Sequence, residues 1–160
     1  MPTVLQTTAL EARARLGAKP RPGGPVCADM ERLLPSFRAQ VDGLLADMRS
    51  AGHEPRVFET WRSPERVAFL VAKGTGSASS MHPYGIAVDI ICAVKLWKAS
   101  AAFWRDLVRF AEARGLTCGA RWRRRDLPHV QAIPVARQNA VRSKRGDAAA
   151  IDAIAKKALA

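Results

Sequence analysis

Two short phrases carry most of the reactive side chains in this sequence. Ser80-Met81-His82-Pro83-Tyr84-Gly85-Ile86-Ala87-Val88-Asp89 sets a histidine and an aspartate seven positions apart. Asp126-Leu127-Pro128-His129 follows about 40 residues later. Together they offer two imidazoles and two carboxylates. A hydrolytic zinc centre takes three protein ligands from His, Asp, Glu or Cys and keeps a further position for water. His82, Asp89 and His129 satisfy that count for one Zn2+ ion and leave Asp126 over. A carboxylate beside such a metal can take the proton of an attacking water and pass it to a leaving amine. Asp126, three residues before His129 and stiffened by Pro128, is the candidate general base. The oxyanion formed on attack wants a second cation, and Arg62 is the candidate for it.

Each of these residues also has a plainer reading. A single histidine is more often a hydrogen-bonded structural residue than a ligand. Asp89 sits in the apolar run Ile86–Ala93, so if it faces inward it needs a partner, and an arginine would serve as well as a metal. Arg62 could pair with Glu59 or Glu65, and Asp126 could cap a turn or pair with Arg123–Arg125. Ser80 lacks a Ser/Lys or Ser/His/Asp arrangement and reads as orienting the site, while Tyr84 either lines a cleft or covers the core edge. His53, beside Gly52, reads as a solvated turn residue. Cys27, Cys92 and Cys118 form no CxxC pair and read as small hydrophobes.

Alternating helix and strand signals must position the two phrases. The spacing of Met30, Leu33, Leu34, Phe37, Val41, Leu44, Leu45 and Met48 predicts an amphipathic helix over 28–50, with Asp29 as N-cap and a kink or start at Pro35. Arg56–Trp61 alternates as a strand. Ser63-Pro64-Glu65-Arg66 opens a helix running to Lys73, with Ser63 as N-cap. Gly85–Ala93 reads as a buried strand and Ser100–Arg114 as a second amphipathic helix stopped by Gly115. Leu116–Ala120 and His129–Ile133 are short strands around the basic stretch Arg121–Arg125. This order predicts a small single α+β domain over 27–135, a central antiparallel sheet flanked by helices with the zinc site in a cleft on it. Residues 1–26 read as a flexible basic lead. Residues 136–160 read as a basic, Ala-rich tail, helical in part but with few large apolar residues to dock.

The 160 residues carry 26 Lys and Arg against 14 Asp and Glu, a net charge of +12. That excess points to an anionic partner: nucleic acid, an envelope polymer or a membrane surface. The lead and the tail hold +3 and +4 of it, so the charge is not one compact recognition face. No apolar run is long enough to span a bilayer, and no secretory signal pattern opens the sequence. Synthesis in a reducing cytoplasm without a signal peptide is the expectation, with the chain a monomer.

Ser80-x-His82-x-x-Gly85-x-Ala87-x-Asp89 resembles the SxHxxGxAxD signature of the LAS-type zinc peptidases, which include D-alanyl-D-alanine carboxypeptidases and phage L-alanyl-D-glutamate endopeptidases. Asp126-Leu127-Pro128-His129-Val130-Gln131 resembles their closing motif, and Trp61-Arg62-Ser63 the segment that supplies their arginine. The resemblance spans roughly 30–134. It implies His82, Asp89 and His129 on zinc, Asp126 as general base, Arg62 on the oxyanion, and Ser80, Tyr84 and Gln131 orienting site or substrate. The activity it implies is hydrolysis of peptidoglycan stem peptides, as an endolysin-type endopeptidase or as a carboxypeptidase. In that setting the basic tails would adsorb to anionic envelope polymers, and nucleic acid is disfavoured as a partner. A non-catalytic basic module binding cell wall or nucleic acid is the rival from another class. Val67, Cys118 and Arg121 depart from the family pattern without removing a ligand.

Overall fold

The computed structural model describes residues 23–160, so most of the expected lead lies outside the described residues. Four strands, β1 (Pro55–Glu59), β2 (Ala87–Cys92), β3 (Thr117–Cys118) and β4 (His129–Gln131), form one sheet in the order β1-β2-β4-β3. Every neighbouring pair is antiparallel. Five α-helices accompany it: α1 (Pro35–Ser50), α2 (Pro64–Ala72), α3 (Ala101–Ala113), α4 (Gln138–Arg142) and α5 (Ala148–Leu159). The α+β architecture is the one the sequence predicts.

The helix expected over 28–50 begins at Pro35, because proline has no amide hydrogen to give and suits a first turn. The residues before it form a separate short turn, Met30–Arg32, which Asp29 caps by accepting from the Glu31 amide. Ser63 and Ser100 cap α2 and α3 through their hydroxyls, as their positions suggest. Phe37, Val41, Leu44, Leu45 and Met48 of α1 and Phe103, Leu107 and Ala111 of α3 pack on the Val88, Ile90 and Val130 face of the sheet. Burying a side chain of that size stabilises by about 1.5–3 kcal/mol each. The opposite sheet face is left for polar chemistry.

The 136–160 segment departs from the expectation of a tail. Val141, Ile151 and Ala155 are buried in the core cluster, and α5 packs on α1. Two or three apolar residues suffice because a polar contact fixes the docking. Leu34 gives α1 no side-chain cap, and Asp152 of α5 supplies one, accepting from the Ser36 amide at 3.1 Å and its hydroxyl at 2.6 Å. His53 also departs from its solvated reading. Its Nε2 lies 2.9 Å from Asp106 Oδ2, and its ring meets Phe103 edge-on.

Candidate metal centre

Sheet register builds the site. Asp89 in β2 stands directly opposite Glu59 in β1 and His129 in β4, so the three form one row across three strands. That alignment needs a bulge. Val57 pairs with Ile90, yet it is Glu59, two residues on, that pairs with the next residue, Asp89. Without the extra residue Phe58 would face Asp89 and the carboxylate would turn to the other side.

His82 arrives from outside the sheet, on the short turn His82–Tyr84. Gly85 closes that turn with φ +70, and a Cβ there would stand 2.7 Å from the Arg32 carbonyl oxygen. The room at Gly85 is thus used by backbone, with the Leu34 amide donating to the Gly85 carbonyl at 2.9 Å. Gly119 does a similar service for the second phrase. A Cβ on it would lie 2.6 Å from the Asp126 carbonyl oxygen and 3.0 Å from His129 Cβ, and its own carbonyl accepts from the Asp126 and Trp122 amides.

The three residues His82, Asp89 and His129 are buried, and one ligand atom from each lies within 4.8 Å of the others. Hydrogen bonds settle which atoms face inward. The Thr60 carbonyl, which can only accept, lies 2.7 Å from His82 Nδ1, so that nitrogen carries the hydrogen and Nε2 keeps its lone pair. The Gln131 amide donates to the Ile133 carbonyl at 2.6 Å, which turns its Oε1 towards His129 Nε2 at 3.1 Å. His129 therefore carries its hydrogen on Nε2 and presents Nδ1. Both free nitrogens approach the same oxygen, Asp89 Oδ1, at 3.3 Å and 3.2 Å. His82 Nε2 is buried and makes no hydrogen bond. Two lone-pair donors and an anionic oxygen converging on one point need positive charge between them. This donor set fits zinc, with each imidazole oriented through its other nitrogen.

The groups of the cluster also shift one another's protonation. Burial alone would raise the Asp89 pKa, but the imidazoles of His82 and His129 hold it well below the usual carboxylate range. Burial alone would lower that of His129, and the hydrogen bond and charge of Asp89 push it up instead. Around the cluster, Arg62 donates from Nη2 to Asp89 Oδ2 at 2.5 Å and from Nε to Glu59 Oε2 at 2.7 Å. Arg66 takes the other Glu59 oxygen at 2.9 Å. The Trp122 ring lies against His129 at 4.9 Å between centroids. Crowding around the Asp126 carboxyl and the negative Asp89 raise its pKa, and His129 and Arg62 pull the other way. A dication in the cluster would add to that pull.

The structure thus brings together Arg62, His82, Asp89, Asp126, His129 and Gln131. Ser80 has a buried hydroxyl without a hydrogen-bond partner. Tyr84 packs partly on the core and also lines a separate cavity of about 320 Å³ with Trp61 and Arg145. Arg62 realises its pairing with Glu59 as well as reaching the site, whereas no bond to Glu65 forms among the described residues. Sequence reasoning missed Thr60 and Arg66. It also missed Gln138, which is buried, donates to Gln131 Oε1 at 3.5 Å and accepts from Arg142 at 3.1 Å. No local pattern marks them, because their partners are set by register and by α4.

Residues 73–132 match the family model described as D-alanyl-D-alanine carboxypeptidase. Among solved structures, the L-Ala D-Glu endopeptidase ChiX of Serratia marcescens is similar in fold, with a TM-score of 0.52 and 22% identity, covering 64% of this chain and 81% of that one. No curated protein matches the sequence. Both histidine-bearing phrases fall inside the matched segment, and the sheet register joins them into one site. Over residues 73–132, which hold both histidine-bearing phrases, the chain is thus similar to the D-alanyl-D-alanine carboxypeptidase family.

Proposed function

We propose that this chain hydrolyses peptidoglycan stem peptides at bonds involving D-amino acids, with one zinc ion held by His82, Asp89 and His129. The observation that carries the reading is the pair of fixed tautomers, His82 Nε2 and His129 Nδ1, directed at one Asp89 oxygen. Bound there, zinc would polarise the scissile carbonyl and acidify the attacking water. Asp126 takes the proton of that water and returns it to the leaving amine. Arg62 has its Nε and Nη2 occupied by Glu59 and Asp89, and its Nη1 is left to face the oxyanion. Glu59 fixes the guanidinium so that no reorientation is needed as charge develops.

The bond we assign is L-alanyl-D-glutamate, in the manner of a phage endolysin. The similarity in fold to the Serratia endopeptidase supports it. The description of the matched family favours a second reading, removal of terminal D-alanine. Incubation of the purified protein with peptidoglycan, with and without a chelator, separates them. New amino termini on D-glutamate, with the carboxyl left on L-alanine, support the endopeptidase, and free D-alanine supports the carboxypeptidase. Release of neither, with no zinc co-purifying, rejects the enzymatic reading.

A further inference from the structure

We propose that the loop between β2 and α3 is a docking wedge for anionic lipid surfaces, separate from the metal centre. Three of the exposed large apolar residues fall within four positions: Val94 is 68% exposed, Leu96 37% and Trp97 51%. Lys95 and Lys98 are interleaved with them and are also exposed. Aliphatic side chains, a tryptophan and flanking lysines are what the boundary between acyl chains and headgroups accepts. The apolar groups enter, the indole sits at headgroup level and the ammonium groups meet phosphate.

The loop is built to hold these groups out. Leu96 is the one non-glycine residue with positive φ among the described residues, at 52°. A leucine in that region is strained and persists only where its surroundings impose it. Here the Leu96 amide donates to the Cys92 carbonyl at 2.9 Å, and the Lys98 amide to that of Lys95 at 2.9 Å. Trp97 is braced edge-on against Phe58, with centroids 4.8 Å apart. The net charge of +12 supplies long-range attraction to an anionic surface. Lipid is favoured over a glycan strand because stacking on sugar would use the indole and leave Val94 and Leu96 in water.

The test is co-sedimentation with vesicles of equimolar phosphatidylglycerol and phosphatidylcholine, at about 0.15 M salt. Wild type should bind these and bind pure phosphatidylcholine at least tenfold more weakly. Trp97→Ser should lose about tenfold or more in affinity, in line with burial of one large side chain. Leu96→Asn, which suits the positive φ, should lose a similar factor and serves if Trp97→Ser fails to fold. Replacing Lys95 and Lys98 together by Gln should flatten the salt dependence. Vesicle binding unchanged in both apolar variants would overturn the proposal, leaving diffuse charge as the cause. It would also be overturned if the variants lost affinity for lipid-free sacculi instead, or if wild type were a dimer that Trp97→Ser separates.

Discussion

Glu59 is the buried anion that the site's arginine depends on, and its removal has a calculable cost. It is 1% exposed and binds Arg62 and Arg66, whose side chains are themselves only 14% and 13% exposed. Glu59→Ala leaves two largely buried guanidiniums without their counter-charge. Arg62 keeps Asp89 as a partner, while Arg66 loses its ion pair with Glu59. Removing one partner of a buried ion pair costs about 3–5 kcal/mol. At about 2.1 cal/mol/K per residue, the unfolding entropy of a domain this size is about 0.3 kcal/mol/K, so the melting temperature should fall by about 10–17 °C. Calorimetry with excess chelator isolates this from any metal contribution. Glu59→Gln keeps the volume and two acceptor sites on one oxygen, and should lose roughly half as much. A drop below about 2 °C for Glu59→Ala would instead mean that the arginines reach solvent without penalty and that Glu59 is not their required counter-charge.

Three further outcomes follow from the geometry. Asp126→Ala should reduce peptide cleavage by about 10²–10⁴-fold while zinc content, measured by atomic absorption, stays at the wild-type level; loss of the metal would make Asp126 a ligand. Cys118 is buried and its thiol is pushed up to about 12 by burial, so iodoacetamide at pH 8 should leave it unmodified in the native protein and label it only after denaturation. The hydrogen bond from His53 holds the Asp106 carboxyl below its ordinary value near 3.8, so its stabilisation is present above that value and lost as pH falls through the lowered one. The difference in melting temperature between wild type and Asp106→Asn should therefore be constant near pH 6 and shrink below about pH 4.

Much of the site was legible because the two phrases carry their chemistry locally. His82 and Asp89 lie on one turn and the strand after it, and Asp126 and His129 share a proline-stiffened loop end, while sheet register brings the two pairs together. Helix starts were legible for the same reason: Pro35, Ser63 and Ser100 act on their own turns. What escaped depends on register. The bulge at Phe58 swings Glu59 into line with Asp89, yet nothing in Pro55–Glu59 announces it. Thr60 acts through its backbone carbonyl, which any residue type could supply. Gln131 was named as orienting, but its orientation is fixed by Ile133 and Gln138. The docking of α5 was unreadable because Asp152 caps a helix more than 100 residues away in sequence.

X-ray absorption at the zinc edge reads the ligand atoms around the metal in the intact protein. One zinc per chain is expected, surrounded by nitrogen and oxygen at about 2.0–2.2 Å, with the scattering pattern of two imidazoles and no sulfur. A sulfur shell near 2.3 Å would move the metal to Cys27, Cys92 or Cys118. No zinc at all, or imidazole scattering that survives His82→Ala and His129→Ala together, would contradict the account.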